Sequence, residues 1–172
     1  MRLATADDIP AVEGMILARS DWLERRGLPS WRDNAAEVAR QAENADSDMW
    51  VLAEEGGGQI IGCTTIQEHT PPWGWTEEEL SEPAHYLYTS VTDPAYREKK
   101  PGTTMALWAV DRAAQEGKAW VRRGCHYPEL VTYNARQGFA LLHEVQRTHT
   151  KVYLMGRRAE RITDLDERFR AL

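Results

Sequence analysis

The segment formed by residues 86–117 constrains the fold of this chain more than any other part of the sequence. An apolar, β-branched run passes through a proline-marked turn into a basic loop, residues 97–102, and apolar residues then recur at helical spacing. This order predicts a buried strand, a short loop and a helix. The first turn of a helix presents unpaired N–H groups and a partial positive charge, which attract anions. The junction is therefore a candidate phosphate site, and an ordinary connection with solvated lysines is the alternative.

Several residues at this junction are suited to contact a phosphate. Gly102 allows the backbone to approach closely, and the hydroxyls of Thr103 and Thr104 can cap the helix or donate hydrogen bonds. The ammonium groups of Lys99 and Lys100 can contact a phosphate directly.

The same segment resembles the acyl-CoA-binding motif of the GNAT superfamily of N-acetyltransferases. Their loop pattern, Arg/Gln-x-x-Gly-x-Gly/Ala, is matched at Arg97 and Gly102, while Lys100 replaces the first glycine. Pro101 adds a second departure, because it lacks an N–H. Three N-terminal stretches and a later one also resemble the family, so that the similarity covers about residues 1–155: RLATADDIPAV, DWLERRGLPSW, MWVLAEEGGGQIIGCTTI and WVRRGCHYPELVTYNARQGF.

The resemblance implies an α/β (α+β) GNAT fold. Its centre would be a mixed, mostly antiparallel twisted sheet, flanked by helices, in which one pair of parallel strands splays apart. Glycines, prolines, capping residues and apolar spacing predict helices from residue 9 to Gly27, over 34–43 and over 128–137, with a long loop over 70–83. Strands are predicted at residues 2–4, 50–53, 59–65, 87–91, 120–123, near 145 and over 151–155, with a glycine-rich hairpin turn at 55–58.

The resemblance also implies a reaction, the transfer of an acetyl group from acetyl-CoA to a primary amine of a small molecule. The amine would attack directly in a ternary complex, and a backbone N–H near residues 90–92 would stabilise the oxyanion. The alternative is a GNAT-like module that binds acyl-CoA or regulates, with weak or no catalysis. The cofactor-binding residues carried over are Val91, Thr92, Arg97, Lys99, Lys100, Gly102, Thr103, Thr104 and Asn134.

Two steps of the reaction need further residues. Relatives usually carry a tyrosine four residues before a Gly-Phe pair to protonate the departing thiolate, and here Asn134 occupies that position, with Tyr133 beside it. Asparagine can hydrogen-bond sulfur but cannot give up a proton. Glu68 and His85 are the preferred candidates for removing the proton of the amine, although core packing is the commoner role of a strand histidine. Residues 73–82, aromatic and acidic, are predicted to line the amine site.

Composition fits one compact domain over residues 1–156, followed by a charged tail or short helix over 157–172. Two cysteines without metal-ligand spacing indicate free thiols in a reducing cytoplasm, with neither a disulfide nor a metal expected. The net charge of -6 argues against nucleic acid as a partner. No apolar run is long enough for a membrane helix, so no membrane partner is expected. A homodimer is left open.

Overall fold

The computed structural model describes residues 1–44, 48–54 and 58–172. Its strands form one seven-stranded sheet of order β1-β2-β3-β4-β5-β7-β6, in which β4 and β5 are the parallel pair. The pairs β1–β2, β2–β3, β5–β7 and β6–β7 are antiparallel, which confirms the predicted mixed sheet. The strands are β1 (Arg2–Leu3), β2 (Asp48–Ala53), β3 (Ile60–Gln67), β4 (Ala84–Thr92), β5 (Trp120–Cys125), β6 (Ala140–Arg147) and β7 (Thr150–Arg158).

Six α-helices are present among the described residues: α1 (Ile9–Glu24), α2 (Ala35–Ala39), α3 (Glu77–Ser81), α4 (Pro101–Gln115), α5 (Pro128–Ala135) and α6 (Leu165–Arg170). Short 3-10 turns flank α2 on both sides and precede α4. None of these helices is both long enough and apolar enough to cross a membrane.

The chain divides into two compact units, which are described separately. The first contains residues 1–66, 89–105 and 166–172, and the second contains residues 67–88 and 106–165. The expected boundary at residue 156 therefore stays a prediction.

The first unit is built around α1. Pro10 stands in its first turn, where a missing N–H is tolerated, and Val12, Met15 and Ile16 are buried at helical spacing. These side chains pack with buried residues of β2 and β3 in one cluster. A second cluster joins Leu52, Ile61 and Met105, and the partly buried side chains of Phe169 and Leu172 pack against it. The C-terminal helix is thus part of the core of this unit.

The second unit packs α3 and its neighbours on β7. Trp75, Tyr86, Val152 and Leu154 form its buried cluster. The guanidinium of Arg122 is buried beside them and lies 5.0 Å from the centre of the Trp75 ring. Its NH2 lies 3.3 Å from the carboxylate of Glu82, so the buried charge has a partner.

Two local predictions differ from the structure, and a third is not tested by it. The predicted loop over 70–83 contains α3, whose N-cap Thr76 accepts the N–H of Glu79 while the Glu79 carboxylate accepts the N–H of Thr76. The second predicted helix is only five residues of α-helix between two 3-10 turns. The predicted hairpin turn falls mostly at residues 55–57, outside the described residues.

Candidate active site

The loop after β4 is built by Asp93. One oxygen of this buried carboxylate accepts the N–H of Ala95 at 2.8 Å, and the other accepts the side-chain amide of Gln59 at 3.0 Å. Pro94 stands in the first turn of the following 3-10 helix, Pro94–Lys99. Both features fix the direction in which the chain leaves the strand.

Lys100 turns the chain from this 3-10 helix into α4. It is the one non-glycine residue with positive φ among the described residues, at φ 56° and ψ 47°. Its N–H donates to the carbonyl of Arg97 at 3.1 Å, and its own carbonyl accepts the N–H groups of Thr103 at 2.9 Å and Thr104 at 3.3 Å. Glycine adopts this left-handed backbone freely, whereas a residue with a Cβ does so at a cost. Lys100 thus keeps a backbone conformation that suits the glycine it replaces.

The basic side chains of the loop differ in their contacts. Arg97 forms an exposed ion pair with Glu98 at 2.8 Å. Lys99 donates to the backbone carbonyl of Leu172, and its ammonium lies 5.8 Å from the centre of the Tyr96 ring. Lys100 is exposed, and no ion pair recorded in the described parts of the chain includes it. Its ammonium is therefore the most available cation at the start of α4.

The end of β4 carries the remaining predicted cofactor contacts of the first unit. Val91 is buried and Thr92 is half-buried. The hydroxyl of Thr64 donates to the carbonyl of Thr89 at 2.8 Å and lies 2.9 Å from the hydroxyl of Ser90. These contacts orient the backbone just before Val91, next to the N–H groups predicted to stabilise an oxyanion.

In the second unit, the parallel pairing of β4 with β5 is short. It runs from Ala84, opposite Trp120, to Leu87, opposite Arg123, and both strands continue beyond the last pair. The side chain of Asn134 on α5 is 1 % exposed, and its Nδ2 donates to the sulfur of Met155 at 3.7 Å. Among the described residues its Oδ1 has no hydrogen-bond partner.

Tyr133, the neighbour of Asn134, is 39 % exposed. The two side chains thus lie in different environments, as expected for adjacent residues of a helix. The roles predicted for both remain predictions.

Glu68 and His85, the two candidate bases, come together with a residue that the sequence did not indicate, Glu116. The Nε2 of His85 lies 3.2 Å from Oε1 of Glu68 and 2.8 Å from Oε2 of Glu116. Despite these distances, neither ring nitrogen has a partner with hydrogen-bond geometry in the described part of the chain. The imidazole is 1 % exposed, and burial lowers the pKa of His85 although both carboxylates favour its protonated form.

Two cations hold the outer sides of this cluster. Lys118 contacts Oε2 of Glu68, the oxygen turned away from His85, and its hydrogen bond places the pKa of Glu68 below the usual value. Arg112 contacts Oε1 of Glu116 in the same manner. Glu116 follows the last residue of α4 directly. Nothing in the sequence distinguished it from other charged residues at helix ends, and only the packing of α4 reveals its place.

In the acidic loop predicted to line the amine site, some glutamates contact other side chains and others are exposed to solvent. Glu79 contacts Nε2 of His143 at 2.8 Å, and Glu82 accepts from the indole N–H of Trp120 at 2.6 Å. Glu77 and Glu78 are exposed. Glu77 and Glu78 are therefore better placed to attract a cation from solution than Glu79 and Glu82.

A family model described as the acetyltransferase (GNAT) family matches residues 16–139, which is most of the chain. The chain belongs to the GNAT acetyltransferase family. This confirms the predicted family, and the matched region contains the loop, Asn134 and the cluster around His85.

Solved GNAT structures share the fold at low sequence identity. A GNAT acetyltransferase from Listeria monocytogenes is 18% identical with a TM-score of 0.69, over 91% of this chain and 92% of that one. A variant of a spermidine N-acetyltransferase from Vibrio cholerae is 13% identical with a TM-score of 0.62, over 92% of each chain. An aminoglycoside 6'-acetyltransferase type Ii is 12% identical with a TM-score of 0.63, over 94% and 99%. No curated protein matches the chain.

Proposed function

We propose that this GNAT protein transfers an acetyl group from acetyl-CoA to a primary amine of a small molecule. The observation that carries the proposal is the turn at Lys100, where a basic loop enters α4 through a left-handed residue at the glycine position of the family motif. The family match supports the reaction class. The choice of a small amine is supported by the spermidine and aminoglycoside acetyltransferases among the structures with the same fold.

The loop of the first unit fits the pyrophosphate of acetyl-CoA in charge and in backbone geometry. The exposed ammonium of Lys100 and the partial positive charge of the α4 N-terminus both favour an anion. The amides of Thr103 and Thr104 already donate to the carbonyl of Lys100, and Pro101 has none, so we assign the closest backbone contact to Gly102. Val91 and Thr92 offer the backbone N–H groups for the thioester carbonyl.

Acetyl-CoA supplies the activated acetyl group when it is bound. In direct transfer, the amine nitrogen forms a bond to the acetyl carbon, the carbon–sulfur bond breaks, and the amine loses one proton. Asn134 is the residue that we assign to the departing sulfur. Its buried Oδ1 lacks a partner in the described structure and can accept a hydrogen bond from the thiol product, but it supplies no proton. Because a thiol has a pKa near ~8.5, the thiolate leaves without an acid, more slowly than with one.

The amine must be neutral when it attacks, so its proton must reach a base or water. Glu68 and His85 stay the predicted bases, supported by the lowered pKa of His85, which leaves a nitrogen lone pair free at neutral pH. Against this role, His85 is paired opposite Val121 within the closed part of the parallel pair, and its side chain is buried. A Glu68→Gln variant decides the question, because loss of a base shifts the acidic limb of the kcat/KM profile, whereas a structural role leaves that limb in place.

Acetyl-CoA titration by calorimetry, followed by detection of free CoA thiol with polyamines, aminoglycosides and amino acids, tests the proposal. We expect binding of one equivalent and turnover with at least one cationic amine. Gly102→Glu should abolish binding because it places a like charge beside the phosphates, and Glu129→Gln, on the exposed face of α5, is the control.

Unchanged affinity in Gly102→Glu would contradict the loop assignment. Binding without turnover for every amine class would favour the regulatory alternative. For the acceptor, replacing Glu77 and Glu78 by Gln should raise KM for the amine, most strongly at low salt, and leave CoA affinity unchanged.

A further inference from the structure

We propose that Glu68, His85 and Glu116 form a binding site for one divalent transition-metal ion, of which Zn²⁺ is the probe. The site lies within the second unit and does not depend on the proposed acetyl transfer. It departs from the sequence-based expectation of no metal, because Glu116 joins the other two residues only through the packing of α4.

The geometry of three donor atoms carries this inference. Nε2 of His85, Oε1 of Glu68 and Oε2 of Glu116 all lie within 4.8 Å of one another. A tetrahedral Zn²⁺ with bonds of about 2.0–2.1 Å separates neighbouring ligand atoms by roughly 3.3 Å. The two distances from Nε2, 3.2 Å and 2.8 Å, are close to this separation and need only a small expansion. Imidazole and carboxylate are both common zinc ligands.

The buried imidazole points to a missing partner. His85 is 1 % exposed, and in the described chain its Nε2 faces two carboxylate oxygens without hydrogen-bond geometry to either. A buried polar atom left in this state is costly, and an ion at the common focus of the three atoms would satisfy it.

Lys118 and Arg112 act on the opposite oxygens. They contact Oε2 of Glu68 and Oε1 of Glu116, so each carboxylate keeps its other oxygen directed to His85. Contacts of this kind orient metal ligands. They also balance the two negative charges, so an added ion leaves a net positive charge. This repulsion limits the affinity, and the absence of a described partner for Nδ1 of His85 limits it further.

Calorimetric titration of chelator-treated protein with ZnCl₂ at pH 7.5 tests the site. We expect one saturable equivalent with a dissociation constant on the order of micromolar, because an incomplete outer shell weakens metal sites by about 10–100-fold. Glu116→Gln should weaken binding at least about tenfold, since a neutral amide is a poor replacement for a carboxylate ligand.

Glu79→Gln is the matched control. Glu79 contacts His143 at 2.8 Å, but that pair has one carboxylate instead of two and should contribute no zinc site. Glu116→Gln and Glu79→Gln each change only one carboxylate oxygen, and thermal unfolding will verify that both variants fold. X-ray absorption of the zinc complex should show nitrogen and oxygen ligands only.

The absence of a saturable site, equal affinity in Glu116→Gln, or a sulfur ligand would overturn the inference. Acetyl-CoA binding by the metal-free protein is measured separately, so failure of the metal site and failure of the proposed function are distinguishable.

Discussion

Replacement of Lys100 by glycine should stabilise the protein, although it removes a side chain from an exposed loop. Lys100 has φ 56° and ψ 47°, the left-handed conformation, in which the Cβ of an L-residue approaches the following carbonyl. This conformation costs about 1–2 kcal/mol in a residue with a Cβ. Glycine avoids the cost but gives up about 0.4–1 kcal/mol through the greater freedom of its unfolded chain. The net gain expected for Lys100→Gly is therefore about 0.8 kcal/mol, within limits of about 0–1.6 kcal/mol.

Lys100→Ala separates the backbone from the ammonium. Alanine keeps the Cβ, so its stability should remain close to that of the native protein, while glycine should unfold at a temperature about 1–4 °C higher. The assay is thermal unfolding of both variants without ligand, with urea unfolding as a second measure. The comparison between glycine and alanine does not involve the lost charge, because both lack it.

The same two variants measure the contact with acetyl-CoA. Loss of an exposed ammonium should weaken binding roughly two- to fivefold in Lys100→Ala, and less so at high salt. Lys100→Gly should bind at least as well as Lys100→Ala, because the bare backbone permits a closer approach. If Lys100→Gly is no more stable than Lys100→Ala, the left-handed turn is not the conformation of this residue in solution, and the reasoning fails.

Three further predictions concern other parts of the chain. A Cβ at Gly124 would lie 2.9 Å from the hydroxyl oxygen of Tyr86, so Gly124→Ala should lower the unfolding free energy by about 1–3 kcal/mol. Adding Tyr86→Phe should recover part of this loss, because it removes the hydroxyl. An unchanged unfolding free energy in Gly124→Ala would contradict this packing. The hydrogen bond from Arg2 lowers the pKa of Asp8 from 3.8 to about 2, so this carboxylate stabilises the fold above pH 4, and the stability is lost as the pH falls towards 2. Because the Arg2 side chain is half-exposed and water screens the pair, the contribution should be well under about 2 kcal/mol. Urea unfolding at several pH values should show that Asp8→Asn lacks this dependence, and an unchanged pH profile would refute it. Asn134→Leu should raise the unfolding free energy by about 1 kcal/mol, because it removes a buried acceptor that has no partner in the described structure. The same variant should slow acetyl transfer in the thiol-release assay. An unchanged rate would show that Asn134 has no role in the reaction.

The sequence predicted the order of strands and helices because turn residues and hydrophobic spacing are local signals. Three prolines, Pro10, Pro94 and Pro128, stand in the first turn of a helix or 3-10 helix. A proline favours this position for local reasons, so it indicates the start of a helix without knowledge of tertiary contacts. The helix α3 was missed because five residues are too few to show helical periodicity. Its Thr-x-x-Glu capping box at Thr76 was the available signal.

The candidate site was less accessible to prediction. The phosphate loop lies in one continuous segment, so its residues could be chosen from the sequence. The neighbours of His85 come from the residues directly after β3 and directly after α4, and only tertiary packing brings them together. The same limit applies to Asn134, since its spacing from Phe139 was visible but its burial against Met155 was not.

The packing of Phe169 and Leu172 beside Met105 has a consequence for synthesis on the ribosome. Residues 106–164 are translated between the first residues of α4 and the helix that covers them, so the core around Leu52, Ile61 and Met105 stays incomplete until α6 has left the exit tunnel. The nascent chain therefore exposes this apolar surface while the residues after Met105 are being added, when chaperones can bind it. Contacts between distant parts of a chain also slow folding. Because Lys99 of the phosphate loop donates to the carbonyl of Leu172, the loop is expected to gain this contact only after the C-terminal residues have packed.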